Sequence, residues 1–109
     1  MRKHDVELLP AAYSDLNEIF DYILVDNPKA AENMLDKIMA ALQHLKSFPN
    51  SGTPLLERSL KKLNIRMVIV DPYLAFYRFI DNKVFVYRVL HGARAYSHLL
   101  KNTVQEIQD

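Results

Sequence analysis

Tyr73-Leu74-Ala75-Phe76-Tyr77-Arg78-Phe79-Ile80, then Asp81-Asn82, then Lys83-Val84-Phe85-Val86-Tyr87-Arg88-Val89-Leu90: this stretch decides the fold. Both arms are rich in aromatic and β-branched residues, which suit a pleated surface. Asp81-Asn82 has the length and chemistry of a tight hairpin turn. A two-residue turn pairs Ile80 with Lys83, Arg78 with Phe85, Tyr77 with Val86 and Phe76 with Tyr87. Because side chains alternate, Leu74, Phe76, Arg78, Ile80, Phe85, Tyr87, Val89 and His91 then share one face. Tyr73, Ala75, Tyr77, Phe79, Val84, Val86, Arg88 and Leu90 share the other. Neither face is cleanly polar, so each needs a cover, one from helices and the other from the C-terminal segment or a partner. The same register sends Arg78 and Arg88 to opposite faces, so they join one site only if a bulge intervenes.

Upstream, Ile65–Val70 is a β-branched run opened by Ile65-Arg66 and closed by Asp71-Pro72, which makes the hairpin a three-stranded antiparallel meander. Further back, Phe48-Pro49-Asn50-Ser51-Gly52-Thr53-Pro54 reads as turns, and Arg58-Ser59-Leu60-Lys61-Lys62 as an irregular basic connector. Before these the period is helical. Ala12, Leu16, Ile19, Phe20 and Ile23 share a face, with Asp15, Asn17, Glu18 and Asp21 on the opposite, polar side. Asp26-Asn27-Pro28 stops that helix and starts another, with Asn27 as N-cap and Pro28 in the first helical position. Ala31, Met34, Leu35, Ile38, Ala41, Leu42 and Leu45 follow at spacings of three and four. A link this short favours a helical hairpin. Asp5–Leu9 is a short strand ended by Pro10, and Ala95–Gln108 a short C-terminal helix. The order is β-α-α-β-β-β-α, a helical hairpin on a small, mostly antiparallel sheet: an α+β fold.

The 109 residues suit a single domain over 1–109, half of them apolar. Without cysteine there is no disulfide framework, and no run approaches the roughly 18 to 20 apolar residues that cross a bilayer. With no signal-like leader, the expected location is the reducing cytoplasm, away from membranes. The net charge of +1 hides a division: residues 1–57 hold five Lys/Arg against nine Asp/Glu, and residues 58–109 hold nine against four. One anionic and one cationic surface follow, the second suited to nucleic acid or an acidic partner.

The residues with chemical potential are Lys61, Lys62, Arg66, His91 and Arg94. His91 and Arg94 flank Gly92 at a strand end, where a sheet delivers side chains to the surface. Histidine titrates near neutrality and serves as acid or base. His4, His44 and His98 have no zinc-ligand spacing, and there is no phosphate-cradling glycine loop, nucleophile elbow or H-E-x-x-H. No cofactor is expected.

Several segments together resemble the RelE/ParE toxin superfamily: Leu9–Ile19, Asp26–Ala31, Leu45–Pro49 with Gly52, Arg66, Tyr73–Arg78 and Val89-Leu90-His91-Gly92-Ala93-Arg94. The resemblance implies the toxin of a type II toxin–antitoxin pair, the kind that stabilises plasmids. Such a toxin is held inactive in a hetero-oligomer with a cognate antitoxin that wraps its surface. RelE-like members are metal-independent endoribonucleases that cut mRNA on the ribosome. For that activity Arg66 and Arg94 would hold the phosphate, and His91 or Tyr96 would move the protons. ParE-like members share the fold but poison DNA gyrase. Leu74 stands where RelE-like enzymes carry an arginine, and Tyr96 is closer to Arg94 than their C-terminal tyrosine is. The reading therefore leans to a ParE-like gyrase inhibitor, with Lys61, Lys62, Arg66 and Arg94 as target contacts. The alternatives are the nuclease and a non-toxic antitoxin-binding module.

Overall fold

The computed structural model describes residues 3–92 and 96–108, and the surroundings of every side chain among them except those of Ser59, Ser97 and residues 104–108. The chain runs through β1 (Asp5–Leu8), α1 (Pro10–Leu24), α2 (Pro28–His44), β2 (Thr53–Pro54), α3 (Arg58–Lys61), β3 (Arg66–Val70), β4 (Tyr73–Ile80), β5 (Lys83–His91) and α4 (Tyr96–Gln108). This is the anticipated α+β order with two additions. Thr53-Pro54, read as turn, forms a two-residue strand on Arg66 and Met67. The basic connector winds one helical turn at Arg58–Lys61.

Local chemistry sets the helix boundaries. Pro10 and Pro28 occupy first helical turns, where a missing N–H costs nothing. The Asn27 side chain accepts the Ala30 N–H at 3.0 Å, the capping bond expected of it. Asp81 and Asn82 have φ of 51° and 64°. Two left-handed residues in succession are what a two-residue hairpin turn needs to match strand twist.

The sheet order is β1-β5-β4-β3-β2. β1 pairs parallel to β5, with Val6 opposite Val84, and the other pairings are antiparallel. α1 and α2 cover one face, burying Ala12, Leu16, Ile38 and Leu42 against Ala75, Tyr77, Val84 and Val86. The other face carries a second cluster, in which Leu60 of α3 and Leu100 of α4 close over Ile65, Phe76, Tyr87 and Leu90. The sheet thus has apolar side chains on both faces because it is covered on both.

One expectation about register is overturned. Tyr77 faces Val86 as the turn dictates, but Phe76 faces Arg88 and Ala75 faces Val89. Tyr87 is an extra residue, a β-bulge that resets the alternation beyond it. Val89 therefore joins Tyr73, Ala75 and Tyr77 under the helical hairpin rather than Leu74 and Phe76. His91 falls opposite Tyr73 on that same side, and Leu90 turns to the α4 side.

Candidate functional site

Arg66 and Tyr77 face each other across β3 and β4, and both are committed to the loop that follows α2. The buried Tyr77 hydroxyl donates to the Pro49 carbonyl at 2.7 Å and accepts the Gly52 N–H at 2.9 Å. Arg66 Nη1 donates to the carbonyls of Asn50 at 3.1 Å and Gly52 at 2.8 Å. This close approach explains Gly52: a Cβ there would stand 2.6 Å from the Tyr77 ring and hydroxyl. Burial raises the Tyr77 pKa above the usual phenol value, against the opposing effects of the Gly52 hydrogen bond and the Arg66 charge.

At the far end of β4, Tyr73 lies opposite His91, ring edge to ring face at 5.7 Å between centroids. Arg66 and His91 flank β4 from different sides, four residues apart along it. Strand spacing and rise put them roughly 14 Å apart along the strand and roughly 10 Å across it. Tyr96 is on the other face of the sheet, its ring 5.1 Å from that of Phe76, within the cluster beneath α4. The anticipated grouping of His91 beside Arg66 is therefore not what the fold builds, because β4 separates them. Arg94, the remaining member, lies outside the described residues. Lys61 and Arg66 line one shallow depression of about 370 Å³ with Asn64 and Phe79, and Lys62 stands outside it. Lys61 and Lys62 are exposed on and just after α3, beside the exposed Arg58.

The helical period places Asp15 on the solvent side of α1, but the fold buries it and surrounds it with donors. It is only 5% exposed. Its carboxylate accepts Arg88 Nε at 2.7 Å, Arg88 Nη2 at 2.8 Å and the Val89 N–H at 2.9 Å. Arg88 also donates to the Thr103 hydroxyl at 3.2 Å. One guanidinium thereby ties α1, β5 and α4 together with the bidentate geometry that makes such pairs strong. Arg78 has weaker company: Nη1 is 3.4 Å from the Tyr87 hydroxyl, and Nε is buried without a hydrogen-bond partner. Among the described residues no cluster of three or more His, Asp or Glu is placed to hold a metal ion.

A family model described as the ParE toxin of the type II toxin–antitoxin system parDE matches residues 6–96. The chain belongs to the ParE toxin family. A curated relative, Toxin RelE2 of Caulobacter vibrioides, is 35% identical over 83 residues, covering 76% of this chain and 89% of its own length. Among solved structures, the fold is similar to a chain of the chromosomal ParDE toxin–antitoxin system of P. aeruginosa. The TM-score is 0.67 at 18% identity, covering 82% of this chain and 96% of that one. It is also similar to a chain of the RelBE2 toxin–antitoxin complex of Mycobacterium tuberculosis, with a TM-score of 0.57 at 22% identity over 82% and 98%. This protein is accordingly a toxin of a type II toxin–antitoxin system, with a helical hairpin on a five-stranded, mostly antiparallel sheet. Among the described residues of the toxin, no helix is long and apolar enough to cross a membrane.

Proposed function

We propose that this toxin, held inactive by a cognate antitoxin, poisons DNA gyrase by binding it rather than by cutting RNA. The observation that carries this reading is the dispersal of Arg66, His91 and Tyr96 over two flanks and both faces of the sheet. Cleavage through an attacking 2′-hydroxyl requires a base, a cation and an acid within hydrogen-bond reach of one phosphate. Here Arg66 spends its Nη1 on two carbonyls, and Tyr96 packs against Phe76. A binding poison needs only a complementary surface. Arg58, Lys61 and Lys62 supply one: they are exposed, and none has an ion-pair partner among the described residues. A basic ridge of this kind suits the acidic surface of a protein–DNA assembly. In this reading Lys61 and Lys62 are the target contacts.

The test is induction of the toxin without antitoxin, followed by primer extension on translated messages. Growth arrest without codon-phased ends is expected, and Lys61→Glu with Lys62→Glu relieves the arrest. Codon-phased ends that disappear in His91→Ala would replace this reading with the nuclease.

A further inference from the structure

Between α1 and the end of the β4–β5 hairpin lies a groove of about 580 Å³ that neither the loop clamp nor the basic ridge uses. Its apolar lining includes Ile19 and Val89, the rings of Tyr22 and Tyr73 stand on it, and Glu18 and His91 are at its rim. Tyr22 is 78% exposed, so its ring is open to a partner. Tyr22 is also close enough to Tyr73 to add to the effect of burial in keeping that phenol protonated. Two phenol rings therefore line one groove.

Among the described residues, the charge of α1 beside it is negative. α1 carries Asp15, Glu18 and Asp21 and no lysine or arginine. Asp15 is consumed by Arg88. Glu18 is exposed, and among the described residues it has no ion pair. Asp71 is exposed in the β3–β4 turn, next to Pro72 of the lining. An aliphatic floor, two phenol rings and a free carboxylate are together the components that hold a guanidinium or ammonium group. The rings offer their faces to the cation and the carboxylate accepts its hydrogen bonds.

We infer that this groove receives an arginine or lysine side chain, flanked by apolar residues, from the antitoxin. The inference rests on the toxin–antitoxin reading and is independent of the gyrase proposal. An acidic groove repels nucleic acid and favours a cationic side chain from a protein partner. The antitoxin is the polypeptide that a toxin of this family must engage. The anionic groove and the basic ridge then divide the labour, the first holding the antitoxin and the second the target.

The experiment uses full-length toxin and the antitoxin encoded beside it, with the dissociation constant measured at low and moderate salt. Because Glu18 and Tyr22 are exposed, their variants keep the core intact, and circular dichroism checks this. Tyr22→Ala and Glu18→Lys each weaken binding by about tenfold or more, as expected for loss of a buried cation's partners. Glu18→Gln falls between and flattens the salt dependence. Binding of all three variants within about twofold of the parent overturns the inference. Unchanged antitoxin affinity with loss of gyrase poisoning also overturns it, by giving the groove to the target. Weakened antitoxin binding in the variants, with a parent toxin that leaves gyrase unpoisoned, keeps the groove and removes the gyrase reading alone.

Discussion

At the scale of single residues, the conspicuous tyrosines and arginines of the strands are largely structural. Tyr77 bonds the loop around Gly52 with its hydroxyl, and Arg66 holds the same loop from β3. Tyr77→Phe leaves the Gly52 N–H unpaired, which costs about 1–3 kcal/mol by chemical denaturation at neutral pH. It also changes the alkaline behaviour. Tyr77 and Tyr73 both titrate above the usual phenol value of 10.0 in the folded protein, chiefly through burial. The folded state then holds these protons longer than the unfolded chain does. Stability is complete below about pH 10 and falls as pH rises through the folded values. The decline above about pH 10 is shallower in Tyr77→Phe, and an unchanged slope would mean that Tyr77 does not contribute to it. Asp15 shows the limit of reading residues one at a time. An aspartate among polar neighbours on an amphipathic helix looks solvated, and nothing local reveals a partner 73 residues later in the chain.

At the scale of elements, periodicity and turn chemistry carried most of the fold. The helix starts at Pro10 and Pro28, the Asn27 cap and the Asp81-Asn82 turn all follow from local rules, and each is present. Asn82→Val places a β-branched residue at φ 64° and destabilises the hairpin by about 1–2 kcal/mol, read as a lowered denaturation midpoint with unchanged slope. What local rules could not supply was the bulge at Tyr87. A bulge is one residue of mismatch between strands, decided by what the strand must reach at each end. Here the reset brings Arg88 within bonding distance of Asp15 and Thr103 and sends Val89 to the helical hairpin. The candidate site inherits the same limit. The sequence identified His91, Arg66 and Tyr96 as chemically capable residues, but their separation depends on which flank of β4 and which face of the sheet each occupies.

At the scale of the whole molecule, the Asp15–Arg88 pair joins the two layers on either side of the sheet. The side chains are 6% and 16% exposed, so removing one charge strands the other where water reaches it poorly. Asp15→Asn lowers stability by about 3–5 kcal/mol, while a simultaneous Arg88→Met recovers part of the loss. A double-mutant cycle showing simple additivity would contradict a coupled clamp. The same layered body gives the toxin its two unlike surfaces, the basic ridge at α3 and the acidic, aromatic groove along α1. We propose that the basic surface captures gyrase on DNA. The direct test is incubation of purified toxin with gyrase, ATP and supercoiled plasmid, followed by detergent and protease. Linear plasmid in proportion to toxin is expected, undiminished in His91→Ala and absent when Lys61 and Lys62 are both replaced by glutamate. Plasmid that stays intact at every toxin concentration, while the same preparation cuts messages on translating ribosomes, would contradict it.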